Sequence, residues 1–127
     1  MRHGIFRPSL GAYRTAEEAT PSMAAAFARR LASHEALLAA DAASVGDALL
    51  SAWADTGLLD VRILARTLYG GAAPVVGFPA RGDAWGAAKP VLAEGWASLV
   101  SRGYVAEDPF EGGWFVTRAG AEVGTRG

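Results

Sequence analysis

The chain has 127 residues, 51% of them hydrophobic, with thirteen acidic and twelve basic side chains and no cysteine. That length suits one domain with a core of its own, and the apolar content lies well above the disordered range. The missing thiols exclude disulfides, thiolate metal sites and cysteine nucleophiles together.

No apolar run approaches the ~18 residues that span a bilayer. The opening MRHGIFRPSLGAYR has no continuous apolar stretch of the kind a signal peptide carries. The expectation is a cytoplasmic protein without membrane contact. Its charge is uneven: residues 1–14 hold Arg2, Arg7 and Arg14 and no acid, leaving nine basic and thirteen acidic side chains in the rest. A basic arm on a mildly acidic body lacks the broad positive field of a non-specific nucleic-acid binder.

Residues 1–20 read as that arm, because Gly4, Pro8 and Gly11 interrupt any helix while Ile5, Phe6 and Tyr13 are available to dock. Thr20-Pro21 is a helix start, with threonine capping and proline in the first turn. The spacing of Met23, Phe27, Leu31, His34 and Leu38 predicts one helix over 22–40 with a narrow apolar face. Alanine fills much of the remainder, which permits close approach of another helix. This helix is therefore the expected self-association or docking element, with Met23, Phe27 and His34 as partner-facing residues and Arg29-Arg30 beside them. His34, in mid-stripe, reads as a hydrogen-bonded core or interface histidine rather than a catalytic one.

Ser44 and Asp47 mark the start of a helix over 45–56, whose stripe is Val45, Leu49, Ala52 and Trp53 and whose stop is Gly57. Asp60 is the expected cap of a third helix, 61–69, with Arg62 and Arg66 along its outer edge. The glycine- and proline-rich run 70–83 leaves room only for a short strand at Val75, Val76 and Phe78. A helix start reads near Asp83-Ala84, and Pro90 then interrupts the pattern, either as a kink or as the first turn of a separate helix over 90–102; the second reading puts Leu92, Trp96, Leu99 and Val100 inward and Gly103 at the end. A hairpin over 104–117 follows, with the turn-rich loop Glu107-Asp108-Pro109-Phe110-Glu111-Gly112-Gly113 at its tip.

The helix ending LVSRGYV, the Asp-Pro loop and the strand WFVTRAG together resemble the winged helix-turn-helix domain of bacterial transcription regulators. The likeness covers about residues 44–120 and is strongest over 91–120, although no strand shows between the first two helices. It implies a mainly α, winged-helix-like α+β fold over 21–127, with an extra N-terminal helix and a C-terminal two-stranded hairpin as the wing. In that family the last helix enters the major groove and the wing lies along phosphates or the minor groove.

Two functions follow as expectations. The first is a non-catalytic interaction module, meeting a protein partner or a second copy of itself through helix 22–40 and the wing residues Phe110, Glu107 and Asp108. A phenylalanine flanked by acids and glycines does not easily fold back onto its own core. The alternative is a sequence-specific DNA-binding regulator using Arg62, Arg66, Lys89, Ser98 and Arg102. Against DNA, Glu107, Asp108 and Glu111 set three negative charges where phosphates would lie, and a like pair at ~4 Å repels by ~1 kcal/mol even in water. No enzyme is expected, and no cofactor, metal or small-molecule substrate: phosphate-loop, dinucleotide and nucleophile-elbow glycine patterns are missing, and the two histidines are far apart.

Overall fold

The computed structural model describes residues 16–71 and 75–126, with the side chains of 16–18 excepted. Most of the arm expected over 1–20 lies outside them. The described chain is mainly helical, with one antiparallel hairpin near its C-terminal end. Its order is α1 (Ala16–Arg30), α2 (His34–Ala39), α3 (Ala42–Thr56), α4 (Val61–Tyr69), α5 (Gly82–Ser101), β1 (Val105–Glu107), β2 (Trp114–Val116) and α6 (Arg118–Thr125).

The single helix expected over 22–40 is two. The first begins at Ala16, so Thr20-Pro21 falls inside it rather than capping it. The break comes at residues 31–33, where the Ser33 hydroxyl accepts from Ala36 N at 3.1 Å and starts α2 in a new direction. Met23 and Phe27, expected to face a partner, are instead fully buried. The alanines explain the correction. Ala24 and Ala26 do let another helix come close, but the helices that come close are the chain's own α3 and α4.

Asp41, not Ser44, caps α3: its carboxylate accepts from Ser44 N at 2.7 Å, which holds its pKa below the usual carboxylate range. Gly57 stops the helix with φ 75°, as expected of its position. Asp60 caps α4 by accepting from Arg62 N and Ile63 N at 3.0 and 3.1 Å, and the element keeps its expected bounds. Between α3 and α4, where no strand was legible, Leu58 forms a single-residue β-bridge.

The separate helix expected over 90–102 is part of a longer one that starts at Gly82, close to the start read at Asp83-Ala84. Pro90 lies inside α5, and the carbonyl its missing N–H leaves unpaired belongs to Gly86, on the same exposed side. Water can serve that carbonyl, so the helix runs through.

α5 packs most extensively on α3, and the two cross where Gly46 meets Gly95. A Cβ at Gly95 would collide with the Val45 side chain and lie 3.3 Å from Gly46 N; one at Gly46 would lie 3.1 Å from Gly95 O. The hairpin pairs Val105 with Val116, Ala106 with Phe115 and Glu107 with Trp114. Thr117 then ties the hairpin to α5 by donating to Gly103 O at 2.6 Å, while its oxygen accepts from Gly120 N and caps α6. That last helix was not expected. Gly124 lets α6 lie against α3, with Leu50 O only 2.8 Å from where a Cβ would stand.

The crossing yields a prediction with a sign. Gly→Ala in an exposed helix interior stabilises by ~1 kcal/mol, so Gly86→Ala, with nothing within 4 Å of its Cβ position, should raise stability in urea denaturation. Gly95→Ala, in the same helix, should lower it by ~1–3 kcal/mol through overpacking.

Candidate functional site

A groove of about 670 Å³ lies between α4 and α5. Its walls carry Arg62 and Arg66 from α4 and Lys89 from α5, over a floor that includes Ala65, Tyr69, Trp85 and Leu92. Helical spacing puts the three cations there: Arg62 and Arg66 are four residues apart on one edge, and Lys89 is four residues after Trp85. Among the described residues no acid lines the groove, and none of the three cations has an ion-pair partner.

The floor is held from behind. Tyr69 is buried, sharing a 2.7 Å hydrogen bond with His34 Nδ1 and packing edge-on against Phe78 at 5.8 Å. Its ring centroid lies 5.9 Å from that of Trp85. His34 N in turn donates to Gly77 O at 2.8 Å, fixing the start of α2 to the turn at 75–78, where Val75 and Phe78 form a bridge. The histidine expected to face a partner is thus a core residue, 8% exposed, and its hydrogen-bonding role is met inside the chain. Burial, with the Glu35 carboxylate nearby, pushes the Tyr69 phenol up to about 12.

The proposed DNA-facing residues divide. Arg62, Arg66 and Lys89 come together at the groove; Arg102 does not join them. Its guanidinium pairs with Asp47 at 3.2 Å, donates to Ala43 O and Ser98 O at 3.3 Å each, and lies 4.7 Å from the centre of the Tyr104 ring. It clasps α3 to the end of α5. Ser98 follows Lys89 by nine residues, about two and a half turns, so it lies on the opposite side of the helix. The groove-lining Trp85 and Tyr69 were not singled out from sequence; the signal for Trp85 was its place just after the helix start read at Asp83-Ala84.

At the other end of α5 the hairpin tip is ordered by its own turn. Asp108 accepts from Phe110 N at 2.8 Å and from Glu111 N at 3.1 Å, and its N–H donates to Gly113 O at 2.8 Å. Gly112 and Gly113, both at φ 76°, take the left-handed positions that close the loop. Phe110 is left 93% exposed on this fixed scaffold, with Glu107 and Glu111 also exposed beside it. Asp108, expected to meet a partner, serves as the half-buried support of the turn.

Small and apolar residues, Gly86, Ala87, Pro90, Ala93, Ala97 and Val100, occupy much of the exposed side of α5; the polar side chains exposed on the helix are Asp83, Lys89, Glu94 and Ser101. Among the described residues no helix is long and apolar enough to cross a membrane, and no three His, Cys, Asp or Glu side chains cluster as metal ligands do. No protein-family model, curated protein or solved structure matches the chain.

The raised phenol gives a pH prediction. A group whose folded pKa exceeds its unfolded value, here ~10, stabilises fully below that value and loses the contribution as pH rises through the folded one. Unfolding free energy should therefore fall between pH ~10 and 12, and Tyr69→Phe should remove that part of the decline. Ultraviolet titration should show one tyrosine ionising last in the native protein.

Proposed function

We propose that the chain is a non-catalytic protein-contact module on a winged-helix-like frame, and that its receptor site is the α4–α5 groove. The order α3, Leu58 bridge, α4, α5, hairpin supports that frame: three helices, a minimal strand after the first, and a wing. The observation that carries the functional reading is the exposed face of α5. In a DNA reader this helix would offer arginine, asparagine or glutamine to base edges. Here it offers mainly glycine, alanine, proline and valine, its exposed polar side chains being Asp83, Glu94, Ser101 and the groove's Lys89, with no arginine, asparagine or glutamine among them, and the wing beyond it ends in acids. The groove, by contrast, combines an aromatic floor with three unpaired cations. That chemistry suits an acidic segment carrying an aromatic side chain: the ring takes the floor and the carboxylates meet the rim.

The convergence of Arg62, Arg66 and Lys89 favours one second reading, in which the same cations hold DNA phosphates. One titration separates the two. A fluorescein-labelled acidic peptide with a central Glu-Asp-Pro-Phe-Glu run and a labelled random duplex are each titrated with the protein, followed by anisotropy. The contact-module reading expects peptide binding that weakens roughly tenfold in Phe→Ala peptide and in Arg62→Glu/Arg66→Glu protein, with little binding to duplex. Duplex binding that falls steeply with salt and is lost in the same double variant, without peptide binding, would replace that reading with the DNA one.

A further inference from the structure

The groove needs an acidic, aromatic-tipped segment, and the chain itself carries one. Phe110 stands 93% exposed at the tip of an ordered hairpin loop, with Glu107 and Glu111 exposed on either side. A side chain so exposed does not fill the groove of its own molecule. We propose that the wing of one copy enters the α4–α5 groove of a second copy, and that the exchange is reciprocal, producing a two-fold dimer. The proposal rests on the reading of the groove as a protein-binding site.

Three features argue for it. The charges are complementary: among the described residues Arg62, Arg66 and Lys89 line the groove with no acid, and the loop sequence Glu107-Asp108-Pro109-Phe110-Glu111 holds three acids and no basic residue. The shapes are of matching kind, since an open cleft of about 670 Å³ with Tyr69, Trp85 and Leu92 below falls in the range that accepts ligand-sized groups. The wing is also pre-organised. The Asp108 turn and the Gly112-Gly113 closure fix the loop before any contact, so little ordering cost attends docking.

Reciprocity matters because one hairpin tip in one cleft is a small contact, whereas a two-fold axis makes two of them at once. In a one-way arrangement each copy would retain a free wing or groove, and addition would continue.

Sedimentation equilibrium with a charge exchange tests this. Wild-type protein should be dimeric at low salt and dissociate as salt screens the contact. Arg62→Glu/Arg66→Glu gives an acidic groove facing an acidic wing; Glu107→Lys/Glu111→Lys gives a basic wing facing a basic groove. Each double variant should be monomeric alone, with native circular dichroism. Mixed in equal amounts they should form a heterodimer, because both contacts then join opposite charges. Phe110→Ala should weaken the wild-type dimer roughly tenfold or more.

A wild-type protein that remains monomeric at ~100 µM, far above the micromolar Kd expected even of weak specific interfaces, overturns the self-docking proposal. If that monomer still binds the labelled acidic peptide, the groove's protein-binding role stands and its partner is another protein. If it binds neither, the underlying reading falls too. A dimer that neither double variant disrupts, or a variant mixture that stays monomeric, also overturns the proposal. Growth to larger species in place of a dimer overturns the reciprocal arrangement.

Discussion

Everything in this structure hangs on how closely α3 and α5 can approach. Gly46 and Gly95 remove the side chains at their crossing, so backbone lies against backbone where a methyl group on either would be too close. Val45, Leu49, Leu92 and Leu99 are buried around that point. Arg102 profits from the same gap, passing over Gly46 to reach Asp47 and the Ala43 carbonyl. Interiors packed to crystal-like density tolerate little change at such a contact. The crossing sets where α5 runs, and α5 sets both the groove at its beginning and the hairpin at its end.

The buried polar pair behind the groove has a different task. His34 and Tyr69 belong to α2 and α4, far apart in sequence, and their hydrogen bond joins the N-terminal helices to the groove floor. With Phe78 and Trp85 around Tyr69, the floor becomes a set of rings whose positions fix one another. The proposed docking of a ring with flanking carboxylates rests on this packed aromatic floor beneath three long cationic side chains.

Much of this was legible locally. The α4 helix, its Asp60 cap, the Gly57 stop and the hairpin with its exposed Phe110 follow from residues within a few positions of one another. Those signals are short-range hydrogen bonds and turn geometries, and they read the same in the folded chain. Sequence reading failed where a local signal had a distant cause. Ser33 ends one helix by capping another; Pro90 sits in a helix because the carbonyl it deprives faces water; Gly120 and Gly124 resemble turn residues but are sites of close contact. The groove suffered most. Arg62 and Arg66 were visible as an edge and Lys89 as a lone cation, but no pattern along the chain brings Trp85 and Tyr69 beneath them.

The sequence by itself determined the bounds of α4 and its Asp60 cap, the Gly57 stop of α3, where the hairpin turns, and that its tip is acidic with an aromatic at the end, because capping and turn chemistry act over a few residues. Only the tertiary structure decided which faces are available. It buried Met23, Phe27 and His34, turned Arg102 into a clasp, and gathered three cations over an aromatic floor. The reason is that an apolar stripe or a charged edge states only that a face is suited to burial or to water. Which partner covers it depends on where the close crossing of α3 and α5 directs the other elements.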